Sequence, residues 1–146
     1  MPAIDPEIEA AIRSSFARQG FNLTLGAELT RIAAGEVDIG LAFSAHLTQQ
    51  NGFLHAGVVT SIADNACGYA AMSLAPVGHN PLAVEFKISL LSPAIGDRFE
   101  ARARVLRRGK TLTVVQADVF AISSAGEQRI ATLLETVILR SGEPSR

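Results

Sequence analysis

The chain of 146 residues contains no tryptophan, one tyrosine and one cysteine. The lone thiol, Cys67, rules out an intramolecular disulfide framework and fits a reducing cytoplasm. Neither sign of charge dominates. Thirteen basic against fourteen acidic residues leave a net charge of -1, which argues against general affinity for nucleic acid. Long apolar runs are also missing: the longest is interrupted by Asp64 and two glycines and makes a poor membrane span. The N-terminus is acidic early and lacks the apolar core of a signal peptide. No repeat period occurs, and low complexity is confined to a short polar tail at 141–146, read as flexible. His46, His55 and His79 are scattered without zinc-type spacing, so no metal is expected. The GxSxG elbow is absent. Gly109-Lys110-Thr111 ends like a phosphate loop, but position 104 is arginine where that loop needs glycine.

What is present is a chain that is 48% apolar with positive mean hydropathy, long enough to bury a core as one domain over 1–146. Asp5-Pro6-Glu7 reads as a helix start, with a side-chain acceptor, a proline in the first turn and an acid near the dipole. Ile8, Ile12 and Phe16 follow at helical spacing, and Gly20 ends the element. From Asn22 the period becomes two: Leu23, Leu25, Ala27 and Leu29, then after Gly35 Val37, Ile39, Leu41 and Phe43, predicting an antiparallel hairpin. Past a helical stretch closed by Pro76 and Gly78, alternation returns in Leu82, Val84, Phe86, Ile88 and Leu90. Phe99, Ala101, Ala103 and Val105 alternate with Arg98, Glu100, Arg102 and Arg104. Arg107 to Lys110 turns into a β-branched strand over 111–122, and a last strand over 130–139 is apolar on both sides, as suits a central strand. Runs of strands without alternating crossover helices predict an antiparallel α+β layout. Its one long helix is too apolar to face water and must be covered by the sheet.

That helix lies in the stretch 49–71, QQNGFLHAGVVTSIADNACGYAA, which carries one carboxylate, Asp64. Taken as helical from Gly57, it places Gly57, Ser61, Asp64 and Gly68 on one face with Thr60 at its edge, against Val58, Val59, Ile62, Ala63, Ala66 and Ala70. An acid there either accepts a hydrogen bond at a packing contact or serves chemistry, and both readings stand. The free N–H groups at the helix start, with no side chain on Gly57, could hold an oxyanion. Seven residues separate Gly57 from Asp64, roughly 10 Å of helix. A base and an oxyanion donor must lie within about 3 Å of one reacting centre, so one helix cannot supply both. Two antiparallel copies across a two-fold axis could, which predicts at least a dimer.

With these residues the segment resembles the hotdog-fold acyl-CoA thioesterases of the phenylacetate-degradation (PaaI-like) group. Their mark is a polar amide, two residues, Gly, two residues, His-Gly-Gly, and an Asp nine positions after the His. Here it reads Gln49, Gly52, His55-Ala56-Gly57 and Asp64, and the downstream AVEFKISLLSPA and RRGKT are also similar. The similarity spans about 22–139. It departs at Gln49 in place of the more familiar Asn, at Ala56 in place of the first Gly, and at Ala83 where some members carry a water-orienting Ser.

The resemblance implies an antiparallel sheet of five or six strands wrapped round one long helix, in a homodimer or homotetramer. It implies hydrolysis of an acyl-CoA thioester with no cofactor, coenzyme A being part of the substrate, and no nucleic-acid or membrane partner. Asp64 would act as general base or nucleophile and Gly57 N–H from the partner would polarise the carbonyl. Gln49 would hold water or the carbonyl, and His55 would shape the loop or touch the thioester. Asn51, Gly52, Phe53, Thr60, Ser61 and Ala83 would line the substrate site. In the basic cluster Arg102, Arg104, Arg107, Arg108 and Lys110, most members read as a solvated face, with one or two such as Arg108 and Lys110 meeting the coenzyme phosphates. A non-catalytic acyl-CoA-binding domain is the alternative. A hotdog hydratase or dehydratase fits less well, because its His-to-acid interval is longer.

Overall fold

Residues 3–142 are described by a computed structural model. Helix α1 (Pro6–Arg18) begins as its sequence dictates, the Asp5 carboxylate accepting from the Glu7 N–H at 2.8 Å. Ile12 is fully buried, and Ile8, Ala11 and Phe16 pack beside it on the core.

The next segment corrects the expected strand from Asn22. A short helix α2 (Gly20–Leu25) follows directly, Gln19 capping both helices, so Gly20 opens an element instead of closing one. Gly26, at φ 70°, ends it in the left-handed region. Apolar alternation misled here because Asn22 is nearly inaccessible and anchored: its amide donates to the Phe16 carbonyl at 3.4 Å and accepts from Asn65 at 3.0 Å. Leu23 is left exposed while Leu25 enters the core.

Strands β1 (Glu28–Ala33) and β2 (Glu36–Ala42) form an antiparallel hairpin; β2 falls on the predicted run from Val37, whereas β1 keeps only Leu29 of the predicted run Leu23–Leu29 and continues to Ala33. Gly35 turns it at φ 77° and donates its N–H to Ser73 Oγ at 2.8 Å, pinning the turn to the end of the long helix. That helix, α3 (Ala56–Met72), precedes β3 (His79–Leu90), β4 (Arg98–Arg108), β5 (Leu112–Ser123) and β6 (Gly126–Ser141). The six antiparallel strands run in the order β1-β2-β4-β5-β6-β3. This is the expected α+β architecture, a sheet wrapped on one helix. The tail expected at 141–146 begins inside β6, and beyond Gly142 it lies outside the described residues. No helix among the described residues is long and apolar enough to cross a membrane.

Helix α3 packs against β2, β3, β4, β5 and β6. Ala63, Ala66, Cys67, Ala70 and Ala71 have no exposed surface, and their small side chains let the sheet close on the helix. Val37, Ile39, Leu41, Phe99, Ala101, Val115, Ala117, Val119 and Val137 supply the opposing face and are equally inaccessible.

Two bulges decide which side chains face α3. In β3 the register shifts at Val84: Ala83 opposes buried Val137, while after the shift Phe86 opposes Glu135. Opposed residues share a face, so the even-numbered alternation expected through Leu82–Leu90 changes phase at Val84. In β4 the shift falls at Leu106 and leaves Arg108 opposite buried Thr113, on the helix side. Arg102 and Arg104 stay on the other side.

Because α3 and the sheet meet through alanines, enlarging one should strain the seam. Ala66→Leu is expected to lower stability by about 1–3 kcal/mol in urea unfolding while leaving the circular dichroism of the folded state unchanged.

Candidate active site

Asp64 lies midway along α3, half-buried, and opens into a cleft of about 770 Å³ lined also by Ser15, Tyr69, Asn80, Ala83 and Glu135. The end of α1, through Ser15 and Arg18, with the cap residue Gln19, forms its outer wall; α1 is tied to α3 by Ser15 with Tyr69 at 3.2 Å and α2 by Asn22 with Asn65 at 3.0 Å. Burial raises the Asp64 carboxyl above its ordinary value, and a hydrogen bond with Glu135 works against that rise.

Glu135 is the residue that sequence reasoning missed. It stands at an inward position of β6 between Leu133 and Val137 and is 1% exposed. The last strand is therefore not apolar on its inner side, and on its outer side Leu134 is half-exposed. The signal was present: Ala131, Leu133, Glu135 and Val137 keep one phase, and an acid in an apolar phase is the same anomaly as Asp64 in its helix. Neither Glu135 oxygen has a hydrogen-bond donor. Burial first, then the charge of Asp64 and its hydrogen bond, push Glu135 up to about 9. That direction favours the protonated form of Glu135 at neutral pH. The neighbouring Cys67 is a small buried thiol as expected, its ionisation opposed by burial and by both carboxylates.

The other candidates gather at the start of α3. His55 is its N-cap, and its Nδ1 accepts the Gly57 N–H at 2.8 Å. The expected oxyanion donor is thus engaged by a neighbouring ring. His55 is itself held through its N–H to the Leu47 carbonyl at 2.9 Å. Gln49 turns back on its own loop: its backbone accepts from Gly52 at 3.0 Å and its side-chain oxygen from the Asn51 N–H. Gly52 sits at φ 83° in this turn and Phe53 is half-buried. The Thr60 and Ser61 hydroxyls donate to the carbonyls of Ala56 and Gly57 at 2.8 and 2.7 Å, so their protons are spent within the helix.

Within one chain, then, the cleft brings Ala83 to Asp64 but not Gln49, His55 or Gly57. In the basic cluster, Arg102 pairs with Glu100 and Glu127 and covers the Phe120 ring at 4.4 Å, while Arg104 approaches Asp118 at 3.9 Å. Those two belong to the solvated sheet face. Arg108 is in line with Thr113, Val137 and Ala83 across the helix-side face, three strand spacings or about 14 Å from Ala83. Lys110 is exposed in the adjoining turn.

This geometry, a sheet curled round a helix that carries a mid-helix acid, defines a hotdog-type α+β protein. Residues 51–126 match the thioesterase superfamily model, and the chain belongs to that family. It is similar to a thioesterase family protein from Silicibacter pomeroyi whose crystal structure superposes with a TM-score of 0.90, at 44% identity over 92% of this chain and 99% of that one. It is 33% identical over 66% of its length to a Saccharolobus solfataricus protein named "Putative esterase", of which it spans 63%. The fold also matches the E. coli PaaI protein from the phenylacetic acid degradation operon, with a TM-score of 0.84 and 18% identity over 98% of this chain and all of that one.

The buried acid has a consequence for stability. Folded Glu135 keeps its proton to about pH 9, whereas the unfolded group releases it near 4.5. The folded state binds more protons between those limits, so the Glu135 contribution is full below pH 4.5 and declines as pH rises toward 9. Glu135→Gln should flatten the dependence of Tm on pH across that window. At pH 8.5 it should melt above the unsubstituted protein by roughly 3–8 °C in scanning calorimetry.

Proposed function

We propose that the chain hydrolyses acyl-CoA thioesters to a free acid and coenzyme A, in an assembly that is at minimum a homodimer. The observation that carries this reading is a half-buried carboxylate on an apolar helix, opening into a cleft. Asp64 accepts a proton from water as the water oxygen attacks the thioester carbon. The oxyanion forms against the Gly57 N–H of the partner subunit, collapse breaks the C–S bond, and the proton passes from Asp64 to the departing thiolate. His55 must swing off that N–H for the carbonyl oxygen to take its place, which gives the ring a gating part. Gln49, once released from its own turn, is the amide for water or the carbonyl. Arg108, turned to the helix side, and Lys110 in the next turn are the cations for the coenzyme phosphates.

A two-chain site is supported by β3, a 12-residue edge strand with Val84, Phe86 and Leu90 exposed. A long apolar edge is a template for pairing with a second copy. On the outer face Leu112, Ile138 and Leu82 form one row with two half-exposed leucines, a second surface suited to a tetramer. The free thiol of Cys67 accords with a cytoplasmic protein. Acyl-CoA binding without turnover is the competing reading, and thiol release separates the two.

In a thiol-release assay with benzoyl-CoA and hexanoyl-CoA, Asp64→Asn is expected to lower kcat about 100-fold or more with the oligomer intact. Unchanged turnover would refute the assignment. A Cβ at Gly57 would stand 2.9 Å from His55 Nδ1 and crowd the oxyanion position. Gly57→Ala should therefore lower kcat by about 10- to 100-fold. Val84→Lys should shift sedimentation toward monomer and remove activity in parallel, since one chain lacks a complete site.

A further inference from the structure

We propose that Glu135 is the positioning residue of Asp64: its carboxylic acid donates to the Asp64 carboxylate, so that the resting pair shares one proton and one negative charge. The inference rests on the reading of Asp64 as general base and concerns how that base is held. Glu135 is 1% exposed, both of its oxygens lack a protein donor, and it lines the same cleft as Asp64. Among the described residues its surroundings offer no cation to pair with a charged Glu135. From α3 it faces Asp64 and Cys67, and from β5 the uncharged Thr113, Val115 and Ala117. From β3 its direct opposite is Phe86, with the Glu85 carboxylate nearby on the outer side, held by the Thr136 hydroxyl at 2.6 Å. From α1, Ser15 and Arg18 reach the cleft wall, and no salt bridge to Glu135 occurs among the described residues.

The neighbouring carboxylates all oppose a second negative charge here. A single proton between the two carboxyls relieves the repulsion, as for any close carboxyl pair. The chain could fill this inward position with leucine or valine, as it does at Leu133 and Val137, at less cost than a buried acid. The proton also does specific work. It fixes the Asp64 carboxylate toward the cleft, and its hydrogen bond opposes the rise in basicity that burial imposes. During turnover Asp64 takes the proton from water, so the pair briefly holds two protons and no charge. It then returns one to the thiolate, while Glu135 keeps its own throughout.

The test is the pH dependence of kcat for the full-length oligomer on benzoyl-CoA and hexanoyl-CoA, corrected for spontaneous hydrolysis. The unsubstituted protein should lose activity as the shared proton leaves the pair near pH 9. Glu135→Gln retains a donor that cannot ionise, so it should keep neutral-pH kcat within about threefold and lose the alkaline limb. Glu135→Leu keeps the volume but not the donor, and should lose about tenfold or more in kcat with KM little changed. A merely structural Glu135 would leave the pH profiles of all three alike, and that result overturns the proposal. Infrared difference spectra give a readout free of turnover: a protonated carboxylic acid band at pH 7, absent in Glu135→Gln. Absence of the band from the unsubstituted protein also overturns it. If Asp64→Asn stays fully active, the reading of Asp64 as base falls. If it is inactive while both Glu135 variants keep the native profile, only the role of Glu135 falls.

Discussion

The close seat of α3 in the sheet is the constraint on which the rest depends. Ala63, Ala66, Ala70 and Ala71 bring the helix against β-strands whose inner residues have no access to solvent. A helix held so near the sheet carries any polar side chain on its flank into the seam. Asp64 lies on that flank, half-covered by α1 and the strand pair β3 and β6. Its raised proton affinity is therefore a product of packing, with burial as the leading cause.

The same seam brings Glu135 to Asp64 from the other side. Two carboxyls buried together are unfavourable for folding near neutral pH, because the unfolded chain would release both protons. Natural proteins hold such local conflicts where the chemistry of a site benefits from them. On the proposed reading one proton between the two groups resolves the conflict, with Glu135 as donor and Asp64 as the charged acceptor.

The start of α3 is built for a different purpose. Its loop is stiffened by the contacts of His55 with Leu47, Leu54 with Ala94, and Gln49 with Phe53. It presents Gly57 covered only by the His55 ring, at the far end of seven helical residues from Asp64. That separation and the bare apolar edge of β3 point the same way. On the proposed reading each chain would hold half of the chemistry, and pairing along this edge would both satisfy the strand and assemble the halves.

Sequence periodicity by itself determined a helix from Gly57, the strand β2, the strands that follow and the anomaly of Asp64. Each of these is a local property: the period of apolar residues, a cap, a glycine at a turn. The distance between Gly57 and Asp64 also followed, since helical rise is constant. Tertiary structure alone decided the matters that turn on register and on contacts distant in sequence. Asn22 became helical because its amide is claimed by Phe16 and Asn65, which outweighs the alternation around it. Bulges at Val84 and Leu106 changed the phase of two strands, turning Phe86 and Arg108 toward the helix side, and only pairing with β6 and β5 reveals them. Glu135 could be flagged in sequence as an acid in an apolar phase, but it stands 71 positions after Asp64. Their meeting depends on which strand the sheet folds beneath α3. Periodicity records which face of an element is buried; it does not record which two faces meet.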